Sequence, residues 1–466
     1  MNRIEPRTQA LAERLIAIVG AAGVVSDPAG LERFAHDETE NLRFPPEFAV
    51  LPRSTAEVSA VLALAHREGL PVTPRGAGTG LSGGALPVAG GICLGLERMN
   101  RIREISTRDL VAVVETGVVL ADLQAAVEEL GLFYPPDPAS RETCLLGGNL
   151  AEDSAGPRSC KYGSTRRWVL GLEAVLADGT VISTGSRNRK DVTGYNLTQL
   201  LVGSEGTLAV LTAATLRLIA KPRATLTIAL PFPDLESAAL GVEAVFREGF
   251  DPAACELLEQ AALAAVGRVL PLPRELAGMA ALMLLELDGD QPEALLEAAA
   301  GLAELGARLG GGEALVAVDA ADQRRLWAIR RKVGEAVKHR SLYKEADTVV
   351  PRHRLPELVR AARAAAAAQG IECVAYGHAG DGNLHVNLLR GDLPEELWAE
   401  RRDAAEAELF RATLELGGAI TGEHGVGWTQ RRYLNDALGE AQVELLRRLK
   451  AAWDPAGLLN PGKILP

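Results

Sequence analysis

The sequence predicts an α+β fold of two unlike halves, and three observations carry that prediction. Short β-rich runs alternate with helical stretches along most of the chain. Dense glycine clusters fall in the first half, directly beside predicted strands. The length of 466 residues, at roughly 100–200 residues per domain, gives two to four domains. The expected organisation is an N-terminal helical segment over 1–42, a glycine-loop domain over 43–221, an α/β sandwich over 222–425, and a C-terminal helical segment over 426–466 that returns to the first domain.

The elements follow in order. Met1-Asn2-Arg3-Ile4-Glu5-Pro6-Arg7 leads into an amphipathic segment ending near Val25, with no apolar signal core. Phe48-Ala49-Val50-Leu51-Pro52 reads as a strand, and Ser54-Thr55-Ala56-Glu57 as the capping box of a helix running toward Glu68. The strand Pro71-Val72-Thr73-Pro74 enters the densest glycine loop. Strands over 111–114, 172–176 and 210–218 and a helix over 120–129 complete the first half, which ends near Lys221-Pro222. In the second half, strands over 225–230 and 281–287 alternate with helices over 235–247 and 292–309. The Ala-rich stretch 358–369 favours a packed helix over a linker. Asp454-Pro455 and Asn460-Pro461-Gly462 make turns close to the end.

With 47% hydrophobic and 24% charged residues, the chain is neither disordered nor collagen-like. Its 61 acidic against 49 basic residues, net −12, give no electrostatic reason to expect a nucleic acid or an anionic membrane as partner. The five cysteines are scattered without a CxxC pair, which supports no disulfide framework, iron–sulfur cluster or Cys-type zinc site. No apolar run approaches the ~20 residues that cross a bilayer. The expected location is the cytoplasm, with peripheral attachment at the inner face of the membrane as the alternative.

Forty-eight glycines exceed average usage of about 7%. Arg75-Gly76-Ala77-Gly78-Thr79-Gly80-Leu81-Ser82-Gly83-Gly84 follows a strand and can turn backbone N–H groups inward around an anion. Residues 78–83 match GxGxxG, but a Rossmann loop opens a helix, which Gly84-Ala85-Leu86-Pro87 cannot be, and no Walker Lys-Ser/Thr follows. A ligand-free turn is the competing reading of this loop alone. Two further clusters, 146–157 (with Gly147, Gly148, Asn149, Ala151, Ser154 and Gly156) and 202–208, fit a long cofactor held along its length by backbone.

Only seven histidines occur. His378 and His385 sit in Tyr376-Gly377-His378-Ala379-Gly380-Asp381-Gly382-Asn383-Leu384-His385, and Glu423-His424 sits between Gly422 and Gly425. Two imidazoles and a carboxylate are a common set for a divalent metal that keeps an open position. His378, His385 and Glu423 would supply it, leaving His424 free as a base. For any single one of these histidines, a packed or exposed ring is the rival reading.

The runs 74–84 and 147–156, Lys190-Asp191-Val192-Thr193-Gly194-Tyr195-Asn196-Leu197 and Gly203-Ser204-Glu205-Gly206-Thr207-Leu208 resemble the FAD-binding domain of the vanillyl-alcohol oxidase superfamily. The similar branch is the FAD-linked D-2-hydroxyacid dehydrogenases: the FAD-linked chain of glycolate oxidase, D-lactate dehydrogenase and D-2-hydroxyglutarate dehydrogenase. The resemblance spans about 34–466. It implies a vanillyl-alcohol-oxidase-type FAD-binding domain plus a substrate (cap) domain. It implies FAD contacts from Arg75, Gly76, Ala77, Gly78, Thr79, Gly80, Leu81, Ser82, Pro135, Asp137, Gly147, Gly148, Asn149, Ala151, Ser154, Gly156, Tyr162, Gly163, Glu205, Gly206, Leu208, Asn460 and Lys463. With no histidine between Arg75 and Gly84, the FAD is expected to be non-covalent. His378, His385 and Glu423 match the family's zinc- or manganese-type ligands, His424 its catalytic base, and Asn387, Arg330 and Lys344 its substrate contacts. Arg331 and Lys332 fit a solvated helix face.

The resemblance implies oxidation of a small D-2-hydroxy acid to the 2-oxo acid, with hydride passing to flavin. Electrons would leave to a partner subunit, a quinone or an electron-transfer flavoprotein, and a homodimer is one assembly open to the chain. Two rivals are a non-catalytic or electron-relaying flavoprotein subunit of a glycolate-oxidising complex, and a flavin reductase of the cell-wall-precursor type. The joint presence of His378, His385, Glu423 and His424 argues against both.

Overall fold

The computed structural model describes residues 6–276 and 278–466; the leading residues 1–5 lie outside the described residues. Three main sheets organise the chain. The first has the order β1-β2-β4-β3 and comprises β1 (Val24–Val25), β2 (Phe48–Val50), β3 (Val72–Arg75) and β4 (Ile92–Gly95). β2 and β3 each run parallel to β4, joined by crossovers, one of them the Thr55–Glu68 helix. That helix starts as the sequence predicts: Ser54 accepts the Glu57 N–H at 3.2 Å, satisfying an otherwise orphaned donor.

The second sheet is antiparallel, in the order β5-β6-β10-β8-β9. It is built from β5 (Ile102–Ser106), β6 (Val111–Glu115), β8 (Val169–Val175), β9 (Val181–Gly185) and β10 (Val210–Arg217). A small ribbon pairs β7 (Leu132–Phe133) with β11 (Ile219–Ala220).

The third sheet has seven strands, all antiparallel, in the order β15-β12-β14-β13-β17-β18-β16. They are β12 (Ala224–Phe232), β13 (Ala254–Glu259), β14 (Ala281–Gly289), β15 (Leu315–Ala317), β16 (Tyr343–Val349), β17 (Glu372–Gly377) and β18 (Asn383–Leu389). Helices cover both faces, which is why β14 opens as the apolar run Ala281–Leu285 rather than an alternating one. Met283 and Leu285 join the core under the helices Leu235–Arg247, Pro292–Arg308, Leu355–Ala368 and Glu395–Glu415. Leu282 and Leu284 join the opposite core under the helices Gln260–Val266 and Ala320–Lys338.

Two expectations need correction. The first helix stops at Val19, because Gly20 turns at φ 75°, and Val24–Val25 leaves as a strand paired with β2. The stretch read as a glycine loop at 146–157 opens instead as the helix Leu146–Glu152. Glycine is a poor helix former, but here close packing decides. Gly147 N donates to Thr116 O at 2.7 Å, and a Cβ on Gly147 would stand 3.0 Å from Thr116 Cβ.

The halves are laced together. Arg158 donates to Glu286 at 2.9 Å and Lys161 to Asp288 at 2.7 Å, while Ser159 bonds Asp381. Near the C-terminus, Leu459 makes a single parallel bridge to Val72 of β3. Among the described residues, no helix is long and apolar enough to cross a membrane.

Candidate active site

β3 delivers Arg75 into the first glycine run, and the loop folds around that side chain. The buried guanidinium bonds the carbonyl of Arg33 at 3.3 Å, and a Cβ on Gly78 (φ 79°) would fall 2.0 Å from its Nη2. Arg75 therefore braces the loop from inside. The crevice beyond is lined by residues 75–81, Gly84, Thr116, 138–140, 147–149, Ala151, Glu152, Ser154, Glu205, Gly206 and Ala209, together with Glu423 and His424. A Cβ on Gly80 or Gly148 would meet nothing within 4 Å, so these two glycines leave free room along the wall.

Nine residues expected at the cofactor stand outside this wall, mostly as its supports. The Ser82 carbonyl accepts from Trp428 N at 2.8 Å. Pro135 is buried between two residues, Tyr134 and Pro136, whose carbonyls take the Gln124 amide. Asp137 pairs with Arg141 at 3.0 Å, and Gly156 packs on the Asp137 carbonyl. Tyr162 donates to Asp288 at 2.6 Å, and Gly163 lies against Arg167. Leu208 is core. Asn460 and Lys463 hold the Gly84 carbonyl at 3.1 and 2.7 Å. Motif reading cannot separate a residue that lines a crevice from one that holds the liner. It also passes over Thr116, 138–140 and Glu152, which carry no glycine signal.

The second feature is built by strand register. β16 and β18 place Asp347 opposite His385 and Glu345 opposite Asn387, while β17 sets Tyr376 opposite His385. Alternation then puts Glu345, Asp347, His385, Asn387, Tyr376 and Glu256 on one face, the face beneath the helix carrying Arg330. His378, just past β17, bonds Glu256 through Nδ1 at 2.8 Å and Glu423 through Nε2 at 3.0 Å. His385 Nε2 lies 3.6 Å from the same Glu423 oxygen. His424 stacks on His385 with centroids 5.1 Å apart, its Nε2 3.7 Å from Glu345.

Arg330 is buried, donates from Nε to Glu256 at 2.5 Å and lies over the Tyr376 ring at 5.2 Å. Asn387 is buried with Nδ2 unpartnered among the described residues. Lys344 corrects the sequence reading. One residue out of phase with Glu345, it takes the opposite face of β16, where it stands 3.7 Å from Glu406 on the helix Glu395–Glu415. The site-facing residue there is an acid, Glu345, which the sequence reading passed over along with Asp347, Glu256 and Tyr376.

Charge follows this geometry. Burial alone would raise Glu423, but His378, with His385 and His424, holds it at about 2. Burial would likewise depress His378, yet Glu256 and Glu423, one at each ring nitrogen, lift it to about 10. Against the pull of burial, Asp347 and Glu345 raise the proton affinity of His424. Burial wins at His385, which is lowered.

Among the described residues, two sets of ligating atoms lie within 4.8 Å of one another: His378, His385 and Glu423; and Glu345, His385 and His424. The first combines the shorter contacts with a carboxylate behind His378.

Residues 46–185 match the FAD binding domain and residues 221–464 the FAD linked oxidases, C-terminal domain. The chain belongs to the FAD-linked oxidase family. This FAD-linked oxidoreductase is 37% identical over 461 residues to the glycolate oxidase GlcD chain of Bacillus subtilis, covering 98% of this chain and 97% of that one. It is 38% identical to a D-lactate dehydrogenase of Archaeoglobus fulgidus (95% and 97% covered) and 33% identical to a D-2-hydroxyglutarate dehydrogenase of Stutzerimonas stutzeri (98% of each). Among solved structures, p-cresol methylhydroxylase with substrate bound shares the fold of the oxidoreductase at TM-score 0.82 and 19% identity, over 99% of this chain and 97% of that one.

Proposed function

We propose that the chain oxidises a D-2-hydroxy acid of the glycolate, D-lactate or D-2-hydroxyglutarate class to the 2-oxo acid, using FAD and a divalent metal. The observation that carries this reading is that Glu423 and His424 open onto the crevice lined by the glycine runs. Both groups fit the residues present. The wall keeps room at Gly80 and Gly148 for a long ligand approached by backbone. The set His378, His385 and Glu423 mixes imidazole and carboxylate, as Zn²⁺ or Mn²⁺ sites do, and Glu256 already backs the far nitrogen of His378. When bound, FAD supplies a two-electron acceptor and the metal a Lewis acid.

The chain's own residues supply the rest. Glu256, itself paired with Arg330, fixes the ring of His378 so that Nε2 faces Glu423. The guanidinium of Arg330 provides positive charge for the substrate carboxylate, and Asn387 Nδ2 a donor for a substrate oxygen. His424 takes the hydroxyl proton at Nε2, its proton affinity raised by Asp347 and Glu345. Electrons then pass to a partner subunit, a quinone or an electron-transfer flavoprotein.

Anaerobic bleaching of the flavin by D-lactate, L-lactate, glycolate and D-2-hydroxyglutarate, with and without chelator, tests the reading. The D-acids are expected to bleach and the chelator to stop them. Bleaching that ignores chelator removes the metal, and no bleaching by any of the four removes the substrate class.

A further inference from the structure

The segment 421–427 carries Glu423 and His424 but contains Gly422, Gly425 and Gly427, so its composition gives it no fixed shape. Two buried carboxylates hold it, one at each end. A single oxygen of Asp347, Oδ2, accepts from Thr421 Oγ1 at 3.0 Å and from the backbone N–H groups of Gly422, Glu423 and His424 at 2.8, 2.8 and 2.9 Å. Its Oδ1 accepts from Asn383 Nδ2 at 2.7 Å. At the other end Glu205 accepts from Val426 N at 2.9 Å and Gly427 N at 2.7 Å.

The glycines are what allow this approach. A Cβ on Gly422 would stand 2.6 Å from Asn383 Nδ2 and 3.3 Å from Asp347 Oδ1, and one on Gly425 would collide with Glu152 Oε2 and stand 3.0 Å from Glu205 Oε1. The glycines flanking Glu423-His424 thus admit the chain's own carboxylates.

The two anchors belong to different halves of the molecule. Asp347 is on β16, opposite His385. Glu205 stands in the crevice wall, its N–H bonded to Ala151 O at 2.8 Å and its carbonyl taking Asn460 Nδ2 at 2.7 Å. Against burial, His424, His385 and the backbone N–H groups hold Asp347 ionised; hydrogen bonds to an ionised acceptor are the strong kind, and rigid support is what a site needs to keep its groups in productive geometry.

We propose that Asp347 and Glu205 are positioning residues that fix the Glu423–His424 backbone from the two sides of the domain boundary. Asp347 sets the ligand end and Glu205 sets how His424 stands relative to the cofactor crevice. The proposal rests on the reading of Glu423 and His424 given above, and its test separates the two.

Amide hydrogen exchange over 421–427, Zn²⁺ titration of the metal-free flavoprotein, and kcat with KM are measured for wild type, Asp347→Asn and Glu205→Gln. Asp347→Asn is expected to speed exchange at 422–424 by about a hundredfold and weaken Zn²⁺ binding by about tenfold or more. Glu205→Gln is expected to speed exchange at 426–427 by about tenfold. It should leave Zn²⁺ affinity within about threefold and lower kcat by about tenfold at nearly unchanged KM.

Wild-type exchange at each variant's own end overturns the proposal, as does acceleration spread evenly over the whole chain. If Asp347→Asn does not fold, Thr421→Val removes one of the four donors and is expected to shift exchange and Zn²⁺ affinity the same way, more weakly; no shift in either overturns the Asp347 half. Exchange and Zn²⁺ binding decide the matter even where no hydroxy acid bleaches the wild type, an outcome that counts against the substrate reading alone.

Discussion

The crevice and the histidine cluster meet at Glu423 and His424, yet they are made by opposite means. The crevice is a backbone structure in which glycines keep side chains out of the way. The cluster is a side-chain structure set into a sheet, where four strands bring ionisable groups onto one buried face. One should tolerate changes of functional group and be spoiled by added bulk. The other should tolerate neither loss nor reversal of charge.

The most severe test falls on the cluster. His385→Ala removes a ligand shared by both candidate metal sets and is expected to cut substrate-dependent flavin reduction by about 10³-fold or more, with the bound flavin spectrum retained. Rapid-mixing absorbance reads both. His424→Ala is expected to lower the same rate by about 10²–10⁴-fold with the metal still bound. A rate near wild type would leave the cluster without its base.

The crevice is probed by bulk alone. Gly148 has no positive φ and open space where a Cβ would go. Gly148→Val is therefore expected to leave the melting temperature of the apoprotein nearly unchanged while weakening FAD binding by about tenfold or more, measured by flavin fluorescence. A variant that binds FAD as tightly as wild type would place the cofactor elsewhere.

A titration separates supports from liners. Burial lowers Lys463 to about 7 from the ordinary 10.5. Between those values the unfolded chain holds a proton that the folded chain does not, so this lysine makes stability rise with pH from about 7 to 10.5. The slope is at most about 1.4 kcal/mol per pH unit. Urea unfolding at pH 7, 8 and 9 is expected to show that slope contribution lost in Lys463→Met. The smallest effect is expected for Lys344→Met, with kcat/KM within about threefold of wild type. A large loss would mean that Lys344 reaches the substrate despite facing Glu406.

These contrasts also explain what could be read in the sequence. Gly76, Gly78, Gly80 and Gly148 announce themselves because a missing Cβ is a local property, and local properties survive in a linear string. His378, His385 and the Glu423-His424 pair stand out because histidine is rare here and glycine flanks them. Glu256, Glu345, Asp347 and Tyr376 do not, because cross-strand register gathers them from distant positions, as with Glu256 and the His378 it bonds, 122 residues apart. Lys344 is misplaced by a single step, and in a strand a single step is the other face of the sheet. The Leu146–Glu152 helix is hidden because contact with Thr116, not propensity, decides it.

Asn460 and Lys463 bond carbonyls of the first glycine loop from 376 and 379 residues away. A loop synthesised early thus receives its last hydrogen bonds from residues synthesised nearly four hundred codons later. On a ribosome adding about 5–20 residues each second, the cradle waits tens of seconds, unfinished, for its closing support. The hydrogen bonding of this loop is therefore completed only after residue 463 has cleared the exit tunnel.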